Sequence, residues 1–134
     1  MIRLHPFVLT LLCTFALGTV AQAQMAAPPK PIAVTTMGST SMLTGAGGMT
    51  LYTEDTDVGG KSVCNGPCAV AWPPLSATAD AKPVGNYTII TRDDGLQWAY
   101  DGKPVYGWIG DKAPGDTTGD GVPAASPVWH VARP

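Results

Sequence analysis

The chain is short of the side chains on which most enzymatic and metal chemistry depends. Its 134 residues include only two Phe, two His and three Cys. Phe7, Phe15, His5 and Cys13 all fall within the first 23 residues, which leaves His130, Cys64 and Cys68 beyond them. Glu54 is the only glutamate. No nucleophile motif surrounds any Ser or Cys, and Asp93 and Asp94 share a turn in which their side chains diverge, so the sequence predicts no enzyme. Helical periodicity is missing as well: no window holds apolar residues at helical spacing for more than two turns. A basic excess is also absent. Eight Lys and Arg, less Arg3, leave seven against ten Asp and Glu, a formal charge of −3 that argues against nucleic acid or an anionic membrane as partner. Beyond residue 23 the large rings are four Trp and four Tyr, so each one buried brings an N–H or O–H that needs a partner.

What is present at the start reads as a secretory signal, residues 1–23. Arg3 supplies the basic region, Phe7 to Val20 the apolar run, and Ala21-Gln22-Ala23 a small-residue cleavage site. The run is nearer about fifteen residues than the roughly twenty a bilayer needs, and no later stretch could span. Lipid attachment at Cys13 is disfavoured because Leu12, not a small residue, precedes it. The expected product is a periplasmic or secreted chain starting near Gln24, with a Pro-rich extended segment at 24–31 and one β domain over 32–134.

An internal repeat organises that domain. Shifting the sequence by 54 positions lays KPVYGWIGD, Lys103 to Asp111, on MTLYTEDTD, Met49 to Asp57. Tyr52 falls on Tyr106, Asp57 on Asp111, Leu51 on Val105 and Gly48 on Gly102. A repeat of this kind means one supersecondary unit used twice, here over about 32–84 and 85–134, each too small to bury its apolar face alone. In the second copy Tyr87 to Arg92, Leu96 to Tyr100 and Lys103 to Ile109 read as three strands, joined by Asp93-Asp94-Gly95 and Asp101-Gly102 turns. Shifted back, strands are expected near Ile32 to Met37, Thr40 to Thr44 and Met49 to Glu54. Each copy then runs through a loop to a Trp, Trp72 and Trp129; Pro67 is placed to start one helical turn through Ala71, and Val128 to Ala132 reads as a last strand. The expected fold is all-β: two tandem three-stranded antiparallel meanders forming one small sandwich or barrel, with a short helical turn near the Cys pair.

The segments GMTLY, CNGPCAVAWPPL, TRDDGLQWAYDGKPVY and GDKAPGDTTGDGV, followed by VWHV, closely resemble the bacterial secreted-repeat family of predicted lipoproteins with a Y-x4-D motif. The resemblance covers roughly residues 40–134. Tyr106, Trp108 and Asp111 meet its aromatic form, Tyr-x-aromatic-x-x-Asp, whereas Glu54 stands where the first copy would carry the aromatic. The resemblance implies tandem repeats and a bacterial envelope location, with no activity attached.

Four groups of residues are candidates for a site. Cys64 and Cys68, an exported pair four residues apart, most simply form a local disulfide. The same two thiols with His130 would make a soft set suited to copper, with Met37, Met42 and Met49 as possible thioether ligands. Asp111, Asp116 and Asp120 line a Gly-rich loop but lack the spacing of a calcium loop, and Asn86-Tyr87-Thr88 fits a glycosylation sequon. The repeated Tyr and Asp are expected to share a folding role, each Tyr filling the core and each Asp accepting backbone N–H bonds in the turn that follows. The functional expectation is a binding or structural module without a cofactor, whose ligand or envelope partner is unassigned; the alternative is copper binding or handling through Cys64, Cys68 and His130.

Overall fold

Two hairpins of matching register carry the repeat into three dimensions. The computed structural model describes residues 25–123 and 127–134, so the signal segment, its cleavage site and Cys13 lie outside the described residues. The elements in chain order are β1 (Ala33–Met37), β2 (Thr40–Thr44), β3 (Tyr52–Glu54), α1 (Pro67–Ala71), β4 (Ser76–Ala77), β5 (Tyr87–Arg92), β6 (Gly95–Tyr100), β7 (Lys103–Pro104) and β8 (Trp129–Val131). In the first hairpin Ala33 faces Thr44 and Thr35 faces Met42; in the second Thr88 faces Ala99 and Ile90 faces Gln97. Every pair is displaced by 55 positions, one more than the motif itself.

The extra position sits in the turn that follows each hairpin. Leu51 N–H donates to Leu43 O (2.9 Å) across eight positions, whereas Val105 N–H donates to Trp98 O (3.0 Å) across seven. In the first copy the turn is a 3-10 segment, Ala46–Gly48. In the second it is Asp101-Gly102, with φ of 49° and 76°, the paired positive angles of a tight hairpin turn that Asp-Gly supplies at low cost. The shorter turn shifts the register by one residue, and the two motifs come into phase.

The expected meanders form only in part. β5, β6, β7 and β4 make one four-stranded sheet, with β4 and β7 at opposite ends of the same edge of β6. The first copy instead divides into two pairs, β1 with β2 and β3 with β8. The third strand expected over Lys103 to Ile109 stops at Pro104, and the first-copy strand expected from Met49 starts only at Tyr52. The reason is that the chain changes partner at the motif: Tyr106 bridges Tyr52 and Pro74, while Tyr52 also faces Val131. The described strands thus form small antiparallel sheets and close no barrel.

Each copy also lends its tail to the other. Leu75 N–H donates to Val105 O (3.0 Å) and Leu75 O accepts from Trp98 N–H (2.9 Å). Ala132 N–H donates to Leu51 O (2.8 Å) and Ala132 O accepts from Leu43 N–H (2.8 Å) in the same pattern. The segment after Trp72 therefore completes the second copy, and the segment after Trp129 completes the first. Pro67 opens α1 and Pro73 follows it, which explains why the helix is one turn long.

Neighbouring motif residues point into two different cores. Leu51 and Val105 enter a cluster with Ile32, Leu43, Tyr87 and Trp98. Tyr52 and Tyr106 enter a second with Cys64, Trp72, Trp129 and Val131. The backbone between the clusters is buried on both faces, so alternation along β6 does not mark a solvent side: Trp98 and Tyr100 are buried, and so are Gln97 and Ala99 on the opposite face. Gln97 is accommodated because its Nε2 donates to Val105 O (2.9 Å) and its Oε1 accepts from Arg92 (3.0 Å).

Candidate functional site

The two motifs meet at their tyrosines. Tyr52 N–H donates to Tyr106 O (2.8 Å) and Tyr106 N–H to Tyr52 O (2.9 Å), a reciprocal pair of backbone bonds between two fully buried residues. From this junction each phenol reaches the aspartate of the other copy. Tyr52 Oη donates to Asp111 Oδ2 (2.7 Å), and Tyr106 Oη donates to Asp57 Oδ2 (2.6 Å). The Tyr and Asp of one motif, five residues apart, do not bond each other.

The second oxygen of each carboxylate holds the loop that follows it. Asp57 Oδ1 accepts from Val63 N–H (2.7 Å), and Asp111 Oδ1 accepts from Thr118 N–H (2.9 Å) and Thr118 Oγ1 (2.7 Å). Each phenol oxygen in turn accepts from that same loop: Tyr106 from the Ser62 hydroxyl (2.6 Å), Tyr52 from Gly119 N–H (3.3 Å). A buried carboxylate would be costly without partners, and here both oxygens of both aspartates are engaged by protein groups. Burial, and after it the bond to a carboxylate, pushes both phenols far above the ordinary tyrosine value of 10.0. Both therefore remain protonated donors at neutral pH.

Above the tyrosines lies a column of indoles. Trp72 and Trp129, the residues at which the two loops end, stack face to face with centroids 4.0 Å apart and planes 3° from parallel. Trp108 covers the other face of Trp72 at 4.1 Å. Tyr52 meets Trp72 edge-on at 5.4 Å, and Tyr106 meets Trp129 edge-on at 4.9 Å. Close backbone approach makes the stack possible: a Cβ on Gly119 would lie 2.6 Å from Trp72 Cη2 and 3.1 Å from Trp108 Cγ. Any larger residue there would displace an indole.

The first-copy loop is clamped by Arg92, whose side chain is only 3 % exposed. Its five N–H donors have five acceptors: Asp94 Oδ1, Ser62 Oγ, Gln97 Oε1, Cys64 O and Asn65 Oδ1. The guanidinium is thus fully committed to protein partners. Its counterpart 55 positions earlier, Met37, lies beside Gly115 in the loop of the other copy. Met37 is 52 % exposed, so only the second hairpin clamps the opposite loop through a buried side chain.

The remaining candidate residues are placed as follows. Cys64 and Cys68 form a disulfide with Cα atoms 5.2 Å apart. His130 is exposed on β8, with Nε2 3.0 Å from Asp55 Oδ1, and is not gathered with the cysteines. Met42 is buried and its sulfur accepts from Thr50 Oγ1 (3.5 Å). Among the described residues no three His, Cys, Asp or Glu side chains are placed to hold one metal ion. Asp116 Oδ2 accepts from Lys112 and Ala113 N–H, which holds its carboxyl below the usual range, and Asp120 Oδ1 accepts from Val131 N–H. The three loop aspartates bond separate backbone groups. Glu54, in the place of the first-copy aromatic, is buried with both oxygens accepting from Thr56 Oγ1.

Sequence reasoning found the Tyr, the Asp and the two loop-ending tryptophans, but not that all of them cross between copies. It missed Arg92, Ser62, Thr118 and Gly119. The available signal was positional: Val63 and Thr118 follow their aspartates at nearly the same spacing, six and seven residues.

This reciprocal architecture agrees with the family comparison, in which the model described as a secreted repeat of unknown function matches twice, at residues 33–76 and 88–133. The chain belongs to that family. No curated protein and no solved structure matches it. The two matched stretches of this secreted repeat each contain one Tyr-x4-Asp motif and one loop-ending Trp. No helix among the described residues is long and apolar enough to cross a membrane.

Proposed function

We propose that this secreted repeat is an exported binding or structural module rather than an enzyme, in which the doubled Tyr-x4-Asp motif is a folding device. The observation that supports the reading is the exchange of partners at the centre: each phenol bonds the carboxylate of the other copy, and that carboxylate ties down its own loop. Residues used in this way are spent on each other. A periplasmic or secreted location, reached after cleavage near Ala23, completes the proposal.

The test compares thermal unfolding of Asp57→Asn and Asp111→Asn with Asp80→Asn, an exposed control. Losing a carboxylate that accepts such bonds typically costs on the order of 1–3 kcal/mol. In a domain of this size that lowers Tm by at least about 4 °C. If both variants melt with the wild type, the motif is not structural, and a ligand held by the two aspartates becomes the better explanation. Thiol alkylation and metal analysis of the exported protein test the cofactor side. No alkylatable thiol and no bound metal supports a module without a cofactor; two free thiols with one equivalent of copper would replace it with copper handling through Cys64, Cys68 and His130.

A further inference from the structure

The aromatic column and the two phenol–carboxylate pairs form one continuous unit whose parts suit a chemistry other than packing. From Tyr52 through Trp72 and Trp129 to Tyr106 the ring centroids are separated by 5.4, 4.0 and 4.9 Å, and Trp108 extends the stack toward the surface at 4.1 Å. Electrons tunnel readily between aromatic rings in van der Waals contact. Stacked indoles also share a positive hole, which makes removal of one electron easier than from a single ring. At each end stands a tyrosine, whose oxidation requires that the phenolic proton leave. Each phenol already donates to a carboxylate oxygen at 2.6–2.7 Å, so an acceptor for that proton is in place before any electron moves. Tyr87 and Tyr100 lack such an arrangement: they pack on each other at 5.0 Å in the other cluster.

We propose that this column is a radical relay, which draws a one-electron oxidising equivalent from the surface at Trp108 inward and holds it as a neutral phenoxyl on Tyr106 or Tyr52. The oxidant is a small one-electron radical of the kind that oxygen chemistry generates around an exported protein. It takes one electron from Trp108 and is itself reduced by one. The hole passes to Trp72 and Trp129 and then to a tyrosine, whose O–H bond breaks as its proton moves to Asp57 Oδ2 or Asp111 Oδ2. A small one-electron reductant, such as a thiol or an enediol, returns the electron, and the proton goes back from the carboxyl to the phenol. Trp108 is half-buried, and the adjoining Ile109 is 52 % exposed, so the outer end of the column is within reach of such reagents. The relay goes beyond the module reading and does not depend on it.

The test is flash-quench oxidation of the full exported chain with photogenerated tris-bipyridine ruthenium(III), read by transient absorption and by electron paramagnetic resonance of trapped radicals. The expected sequence is an indole radical followed by a phenoxyl radical, the second step slowed in deuterated buffer. Tyr52→Phe combined with Tyr106→Phe should abolish the phenoxyl and prolong the indole radical, whereas Tyr87→Phe should leave both unchanged. Trp108→Phe, at a half-buried site where folding is least at risk, should lower the phenoxyl yield while the protein still unfolds in one cooperative thermal transition. The proposal is overturned if the indole radical decays with no phenoxyl in the wild type, if the phenoxyl survives loss of both column tyrosines, or if Trp108→Phe leaves its yield unchanged.

Discussion

The two copies solve one problem with different materials. In the first, the loop after the aspartate is fixed by a disulfide, by the Ser62 hydroxyl and by the three Arg92 bonds that reach Ser62, Cys64 and Asn65; in the second, by Thr118 and the Gly119 N–H. Glu54 stands in one where Trp108 stands in the other. The tyrosine, the aspartate and the loop-ending tryptophan keep the same role in both, as do Leu51 and Val105 in the core and the crossed tails at Leu75 and Ala132. What the copies share is the part that crosses between them, and what differs is the part that secures each loop locally.

The strongest way to strain that comparison is to remove a shared residue and its nearest unshared neighbour. Trp72→Ala should cost about 3–5 kcal/mol, as deletion of a large buried ring does, because Trp72 lies between two indoles and against Tyr52. Trp108→Ala, half-buried with one face on the stack, should cost clearly less. Equal losses in chemical denaturation would mean that the shared tryptophan is not special.

The loop devices come next. Reducing the disulfide should destabilise by less than about 3 kcal/mol, since the closed loop is tiny, and Arg92→Met, which gives the second hairpin the residue used by the first, should add to that loss. Both changes act on the first-copy loop, so hydrogen exchange should quicken at Val63 and Cys64 while Thr118 stays protected. Uniform quickening would show that the two loops are secured together rather than separately.

A smaller effect follows from the raised tyrosines. A phenol whose folded value is raised contributes stability fully present below its unfolded value and lost as pH climbs above it, so Tm should hold up to about pH 10 and then fall. Tyr52→Phe and Tyr106→Phe should each flatten that decline from a lower starting Tm. An unchanged slope would place the titrating groups elsewhere, with Tyr87, also raised by burial, as the first suspect.

How much of this was legible in the sequence depends on whether the signal was local. β5 and α1 form over the residues that β-branching and the Pro67–Pro73 bracket indicate, and the Asp-Gly turn has the backbone its residues favour. The 54-residue repeat exposed the Tyr and the Asp. Hidden was the exchange of partners, because two copies of one motif are equally compatible with Tyr–Asp bonds within each copy and between the copies. Nothing in LYTED or VYGWIGD says that the carboxylate in reach of Tyr52 belongs to Asp111. Arg92 was hidden for a related reason: at the end of a strand, beside Asp93 and Asp94, it reads as a surface charge, and only the loop folded over it makes it a buried clamp. The division of the first copy into separate sheets had the same origin, since β8 arrives from more than 70 residues away to take the place beside β3.

The central claim is that each motif is held by the other, and double-mutant cycles read it directly. Four cycles are needed: Tyr52→Phe with Asp111→Asn, Tyr106→Phe with Asp57→Asn, and the two within-motif combinations, Tyr52→Phe with Asp57→Asn and Tyr106→Phe with Asp111→Asn. Residues that share a buried hydrogen bond couple by about 0.5–3 kcal/mol, whereas residues that share none come close to additivity. The account predicts strong coupling in the two crossed pairs and near-additivity in the two within-motif pairs. Coupling confined to the within-motif pairs would contradict it.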